Sequence, residues 1–560
     1  MHKDINFFAL GGIGENGKNF YLLKIKSSYF ILDTGLKYPN DSVLGIDFII
    51  SDYTCLENIK DQIKAIFITS AFETHSGAFD YLAHYFKVPV YGTEFIINVL
   101  KTNCLKNNLE ISKINLEIIN ESSELNFIDT KVSFFNIAHF LPESFGIAFD
   151  TEQGLIFYIS EMYFLQSKNK QFQTNYAYLA SLSQKKKTLA LISSSQGAFN
   201  INPQKKETVL EYEFSSYLTN IQNNIIISFL IPDLVKIQLV INLAVELNLK
   251  IAILGRKSES IVNVALRKGY LKIPYGFLVN LKTSTNYIKY TNLVVIIVGK
   301  RFEPFYRLQR ICKQTDRLMK LHPKDKILLL SIESSGVDKI QSKTLDLLAR
   351  NGFDVDILIK DLFKVSYNYE ENLKLLLHLL EPKFFLPIIG EYRHQFQIKK
   401  IAENFNYAKE NIFLFENGDK WIYDFKNKPY IQKGFLKKLG EILIDGTPVL
   451  EGNEYILRDR ELLANDGVII IACNIDLKFK KNVGNIEIVS KGFLDSPQVE
   501  IILNKLKEIF LDLNNQFLQN NSNLKLSDFK NDLREHISKF VFKETKKKPI
   551  IIPVLIVSNY

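Results

Sequence analysis

Cysteine is scarce: four residues in 560, Cys55, Cys104, Cys312 and Cys473, lie far apart with no CxxC pair. That excludes a disulfide framework and a thiolate zinc site, and it fits a reducing compartment. Long apolar runs are absent as well. The most apolar segments, Asn292 to Val298 and Pro549 to Val557, fall far short of the ~20 residues a membrane span needs. The start, MHKDINFFAL, carries Asp4 and Asn6 where a secretory signal would be apolar. A cytoplasmic protein with no membrane association is expected. Neither sign of charge dominates strongly: 70 Lys and Arg against 61 Asp and Glu leave +9. Such an excess can steer a polyanion, but lysine spread over a large surface also serves plain solubility.

What the sequence does have is core material, with 46% hydrophobic and 23% charged residues. Its length exceeds what one hydrophobic core organises, so two or three domains are expected. Residues 1–203 read mostly as short strands (NFFAL, NFYLLKI, YFILDTG, AIFITS, VPVYG, KVSFFNIAHF, FGIAFD, LIFYIS, TLALISS) divided by Gly, Asn, Asp and Ser turns. From residue 204 to 354, strands such as NIIISF, KIAILG, LVVIIVG and KILLLSI alternate with helical patterns, the signature of βαβ units on a parallel sheet. Residues 355–426 add a further helix and strand set, 427–449 read as a linker, and 450–560 as a small α+β domain with two long helices and a closing strand PIIIPVLIV.

Three features invite a chemical reading. GGIGENG at Gly11 to Gly17 satisfies GxGxxG, but the alternating strand NFYLLKI follows it. A dinucleotide fingerprint needs a helix there, so these glycines predict a tight turn between strands. Asp33 closes FILDTG and His75 follows AIFITS. Singly, each has an ordinary explanation, a turn-capping Asp and a His satisfied by backbone.

Order and spacing change that reading. ALGGIGENGKN, FILDTGLKYPND with LGIDFIISD, AIFITSAFETHSGAFDYL with VPVYGT, AHFLPESFGIAF, PIIGEYRHQF with FENGD, LRDRELLANDGVIIIACN and KETKKKPIIIPVLI occur in this order across nearly all of the chain. Together they resemble the metallo-β-lactamase fold of the β-CASP nucleases, and more closely the ribonuclease J family. The resemblance implies an α/β architecture: a metallo-β-lactamase αββα sandwich, an inserted β-CASP α/β domain, and a small C-terminal α+β domain used for self-association.

The family carries an HxHxDH loop after the strand that here ends in AIFITS. With a later His, a bridging Asp and a last His, it would hold two zinc ions, which lower the pKa of bound water to ~7 and supply hydroxide. Aligned on Thr69 and Gly77, this chain has Ser70, Phe72 and Thr74 in place of three of those ligands, and His75 as the survivor. His139 matches the later His, Glu161 stands for the bridging Asp, and Ile389 in PIIGEYR replaces the last His. One ion would keep His139 and Glu161, the other His75 and Glu161, below the three protein ligands of a catalytic zinc. Phe72 is expected to fill the space of an ion and its water. No metal site, catalytic residue or cofactor is therefore expected.

Substrate-side motifs have changed too. The family's SDST loop reads Ser193, Ser194, Ser195, Gln196; its HTSGH motif reads FKVSY, Phe363 to Tyr367; and TGSQGEP reads VGKRFEP, Val298 to Pro304. The serine run could be a nucleophile, but no partner His lies nearby in sequence, and an eroded loop is the simpler account. Arg256, Lys300 and Arg301 stand after strands facing the family's RNA groove and are expected to contact RNA phosphates, solvated loop charge being the alternative. The expectation is a non-catalytic or strongly impaired ribonuclease J-like subunit of RNA processing and mRNA decay. It would bind RNA and an active ribonuclease J paralogue, as a homo- or hetero-oligomer formed through the C-terminal domain. Two other readings stay open. One is an active 5'-3' exoribonuclease or endoribonuclease with Mg²⁺ or Mn²⁺ held by Glu161, Asp33 and water; the other is an architectural protein without RNA affinity.

Overall fold

The computed structural model describes residues 4–39, 45–162, 169–199, 207–219, 223–255, 260–281, 290, 292–330, 337–353, 355–357, 369–437, 439–446, 449–450, 454–476, 479, 481–494, 498–519 and 526–557. The chain divides into two units, Met1–Tyr38 with Phe48–Ile442, and Pro39–Asp47 with Leu443–Tyr560.

In the larger unit, β1 (Ile5–Gly11), β2 (Phe20–Ile25), β3 (Ser28–Leu32), β4 (Ile63–Phe67), β5 (Val90–Gly92) and β6 (Leu116–Ile118) form most of one sheet. A second sheet takes β7 (Glu124–Asn126), β8 (Lys131–Asn136), β9 (Phe145–Thr151), β10 (Gly154–Ile159) and β11 (Thr188–Ser194). The chain then enters a five-stranded parallel sheet: β12 (Ile225–Phe229), β13 (Lys250–Leu254), β14 (Leu293–Ile297), β15 (Lys326–Leu330) and β16 (Val355–Ile357), in the order β13-β14-β12-β15-β16. Every residue of β12 and β14 is buried, as expected of parallel strands covered by helices on both faces. On return, β17 (Phe384–Ile388) joins β11 in parallel, while β18 (Lys420–Tyr423) and β19 (Tyr430–Gln432) extend the first sheet beside β1. The stretch expected as a linker, 427–449, therefore begins as a paired strand. Tyr430–Ile431 is too short an apolar run to reveal it.

Aromatic side chains fill the space between the two large sheets. Phe30 and Phe67 meet Phe149 at 5.4 and 6.0 Å between ring centroids, and Phe67 meets Phe134 at 5.8 Å, separations typical of edge-on and tilted ring packing. On the outer side of the second sheet, Phe135, Phe157, Leu191 and Phe385 pack against Leu179 and Leu182, and against Leu376, Leu380, Ile398 and Ile401. These belong to helices α1 (Tyr176–Lys185), α2 (Tyr369–Leu380) and α3 (Tyr392–Asn404). The result is layered helix, sheet, sheet.

The turn between β1 and β2 holds Gly12, Gly14 and Gly17 at φ +85°, +74° and +93°, conformations that L side chains rarely adopt. It is a strand-to-strand connection, as the sequence pattern predicts. Among the described residues, no helix is long and apolar enough to cross a membrane.

The smaller unit is built on β20 (Val468–Asp476), β21 (Lys481–Lys491) and β22 (Ile550–Val557), with β20 central. Alternation decides its faces. Ile469, Ile471, Cys473, Ile475, Ile551 and Leu555 pack on Leu506 and Phe510 of α4 (Gln498–Gln519) and on Phe529, Leu533, Ile537 and Val541 of α5 (Leu526–Thr545). The residues between them, including Val489, Ile552, Val554 and Ile556, leave the opposite face open and apolar.

Candidate active-site cleft

Two strand ends of the first sheet, β3 and β4, build the cleft. Asp33 follows β3 with φ +61° and is fully buried. Four protons converge on its carboxylate. Thr69, just past β4, donates its backbone N–H at 2.8 Å and holds its hydroxyl 2.8 and 3.0 Å from the two oxygens. The Tyr158 hydroxyl of β10 donates at 2.6 Å, and His75 Nδ1 lies 2.9 Å away. The far nitrogen of His75 is 3.3 Å from Glu161 Oε2, and His139 Nε2 is 3.3 Å from the same oxygen. The Leu141 amide donates to His139 Nδ1 at 3.1 Å.

These partners fix the protons. His139 accepts on Nδ1, so its proton sits on Nε2 and is donated to Glu161. The ring is neutral, and burial lowers its pKa. His75 faces a carboxylate through each nitrogen. Burial opposes its charge, but Asp33 and then Glu161 outweigh that and raise its pKa to about 10, so the ring is an imidazolium. Burial likewise disfavours an ionised Glu161, yet the hydrogen bonds from His139 and His75 hold it down at about 2. A protonated imidazole thus bridges two buried carboxylates.

The loop carrying His75 is stitched through its backbone. Thr34 N–H donates to His75 O at 2.7 Å, Ala78 N–H to Thr34 O at 2.9 Å, and Asn19 N–H to Thr74 O at 3.2 Å. A side chain on Gly35 would start 1.6 Å from the Thr74 carbonyl, so glycine is required where the strands close on this loop. None of these bonds depends on which side chains occupy positions 70, 72 or 74. Ser70 is buried and its Oγ accepts from the Phe72 amide at 3.3 Å. The Phe72 ring sits edge-on to Phe140 at 5.2 Å, beside His139. Thr74 keeps a buried hydroxyl without a hydrogen bond. Ile389 is buried with φ +52°, a genuine outlier for a β-branched residue. Its carbonyl accepts from Ser195 N–H at 3.1 Å and from the Ser195 hydroxyl. That hydroxyl is thus engaged with backbone, not with an imidazole base.

The surviving donors do not fit two zinc ions. At 3.3 Å, the His75–Glu161 and His139–Glu161 separations are long for N–H···O bonds and close to the spacing of two ligand atoms on one tetrahedral zinc. Each pair would supply one edge of a tetrahedron. The remaining corners are a serine, a phenylalanine, a threonine and an isoleucine. Among the described residues, no group of three or more His, Cys, Asp or Glu side chains could hold a metal. Asp33 adds no corner, because its oxygens are engaged by Thr69, Tyr158 and His75.

The expected RNA contacts separate. Arg256 and the FKVSY stretch lie outside the described residues. Lys300 is exposed and its amide donates to Glu303 at 3.3 Å. Arg301, at φ +48°, places its guanidinium 4.9 Å from the Tyr38 ring and 4.6 Å from Phe302. Tyr38 in turn donates to Glu73 at 2.7 Å. Arg301 therefore braces the insert against the N-terminal strands. Tyr158 and Thr69 are the site residues that sequence reasoning missed. The one available sign was a hydroxyl-bearing ring inside the otherwise apolar GLIFYI.

A two-sheet sandwich interrupted by a parallel α/β insert, with a histidine and carboxylate cluster at its strand ends, defines the class: a metallo-β-lactamase fold of the β-CASP type. Residues 222–348 match the family model for the ribonuclease J β-CASP domain, and 455–558 that for the ribonuclease J C-terminal domain. Ribonuclease J 2 of Staphylococcus aureus strain NCTC 8325 is 32% identical over 554 residues, 99% of this chain and 98% of that protein. Ribonuclease J 2 of Staphylococcus epidermidis strain ATCC 35984 gives the same identity and coverage. The chain belongs to the ribonuclease J family. Among solved structures, a protein of unknown function from Enterococcus faecalis V583 is 12% identical with a TM-score of 0.49, over 75% of this chain and 100% of that one, too distant to add to the assignment.

Proposed function

We infer that this chain is a ribonuclease J family protein that does not hydrolyse RNA, and that it serves RNA processing and decay as an RNA-binding subunit beside an active family member. The observation that carries the reading is the donor set of the cleft: His75, His139 and Glu161 stand at positions where the family would hold two zinc ions, while Ser70, Phe72, Thr74 and Ile389 occupy the other four. Without a metal-bound hydroxide, the cleft has no nucleophile for a phosphodiester. An active site using one hard ion on Glu161 and Asp33 is disfavoured, because Asp33 is saturated by hydrogen bonds.

Association through the smaller unit is supported by its open sheet face. Ile552, Val554 and Ile556 run along one side of β22, with Val489 across the sheet on β21. Contiguous apolar patches of this kind mark interaction surfaces. The test is RNA hydrolysis by the purified chain with Zn²⁺, Mg²⁺ or Mn²⁺ supplied, beside an active family member as positive control. The reading expects no cleavage above background, but binding of RNA. Efficient cleavage that is lost in Glu161→Gln would overturn it in favour of an unorthodox active site.

A further inference from the structure

From the last turn of the last helix toward the last strand, the chain places four lysines in six residues: Lys543, Lys546, Lys547 and Lys548. Helix α5 stops at Thr545 because Lys546 turns left-handed, at φ +60°, with its amide bonded to Phe542 O at 2.9 Å, a common way for a helix to end. Lys547 is engaged internally, donating to Phe493 O at 2.9 Å and Asn465 O at 3.4 Å. Lys543, Lys546 and Lys548 are exposed and, among the described residues, form no ion pair, whereas Lys539 just before them pairs with Glu535. Phe542 stands among them with 42% of its surface exposed, and the ammonium groups of Lys546 and Lys548 lie 5.7 and 5.0 Å from its ring centroid.

Helix C-termini attract lysines for a simple reason, since the macrodipole places roughly half a negative charge there. Three ammonium groups exceed that demand. With Lys547 included there are four ammonium groups; after subtracting this half charge, the neighbouring Glu544, and Asp466, whose carboxylate accepts from the Lys548 amide at 3.0 Å, roughly one and a half positive charges are left over. The surplus surrounds an exposed aromatic ring that two of the cations approach. We propose that this turn is a contact site for single-stranded RNA, with one base stacked on Phe542 and the flanking phosphates on Lys543, Lys546 and Lys548. Single strands suit it because only an unpaired base offers a free π-face, and because cations spaced around a ring match a backbone that carries one charge per nucleotide. A duplex presents no such face. A membrane surface would call for a broader apolar stripe than one ring. The site rests on the reading that the chain binds RNA, and adds to it a location remote in sequence from the eroded cleft.

The test is fluorescence anisotropy of the full chain with a labelled single-stranded RNA and with the same strand as a duplex, across a salt series. The variants are Phe542→Ala, the combination Lys543→Gln, Lys546→Asn and Lys548→Gln, and a control removing Lys409, Lys505 and Lys507 to Gln. Asparagine tolerates the left-handed backbone at 546, and thermal melts check folding. The slope of log affinity against log salt should fall by about 2 in the lysine combination, three phosphates at ~0.7 each. Phe542→Ala should lose about tenfold on the single strand and nothing on the duplex. Wild-type binding with an unchanged slope in the combination, an equal fall in the control, or unchanged single-strand affinity in Phe542→Ala would overturn the site. Absence of wild-type binding at low salt would instead defeat the RNA-binding reading on which it rests.

Discussion

Two strand ends face the same cleft in different ways. After β4, the loop from Thr69 to Gly77 carries Ser70, Phe72 and Thr74, and its one imidazole, His75, is satisfied on both nitrogens. After β17, Ile389 still adopts a left-handed backbone, φ +52°, that a β-branched side chain takes only at a cost. The first loop ties its imidazole into a hydrogen-bond network. The second retains a backbone shape without a side chain that benefits from it. Backbone stitching, such as Thr34 N–H to His75 O and Gly14 N–H to Gly390 O, fixes the outline of the cleft independently of the side chains that line it.

The comparison can be broken most severely at Asp33, where the first loop's network converges. Asp33→Asn leaves the buried His75 cation with one carboxylate and should cost about 3 kcal/mol, within the range for breaking a buried charge pair. Chemical denaturation measures it, and a loss under about 1 kcal/mol would mean that the network holds nothing together.

Next in size is pH. Folded His75 titrates at about 10 against an ordinary 6.5, so its contribution is complete below pH 6.5 and is lost as pH rises toward 10. Glu161 titrates at about 2 against 4.5, so its contribution is complete above pH 4.5 and is lost as pH falls toward 2. Thermal melts should therefore show the cluster's full effect between pH 4.5 and 6.5, with His75→Gln flattening the alkaline limb. An alkaline limb unchanged in that variant would show that His75 is not the cation.

The smallest effect sharpens the second loop. Ile389→Leu keeps the volume and removes the β-branch, so it should be neutral or stabilising by under about 1 kcal/mol. Ile388→Leu, at the buried end of β17, should destabilise by a similar amount. If Ile389→Leu cost more than Ile388→Leu, the left-handed turn would not be strained.

Legibility followed locality. Strand alternation, the insert's βαβ rhythm and the ligand positions occupy short stretches, and each could be read from a few neighbouring residues. Ser70, Phe72, Thr74 and Ile389 could be set against the family's ligand positions because they sit within short stretches. What could not be read depends on distant segments meeting. Tyr158 reaches Asp33 across the sandwich, and Arg301, expected to meet RNA, stacks on Tyr38. The protonation of His75 was hidden for the same reason, since it depends on Asp33 and Glu161 approaching from opposite sides. Within 427–449, where lysines and glycines suggested a linker, the pairing of Tyr430–Gln432 with β18 was not visible in composition.

We infer that a proton on His75 stands where the family would hold a metal ion. Zinc stoichiometry of the purified full chain, measured by elemental analysis together with melting curves before and after chelation, tests it most directly. The account predicts far less than one zinc per chain and an unchanged melting temperature. Two zinc ions per chain, with a melting temperature that collapses on chelation, would contradict it.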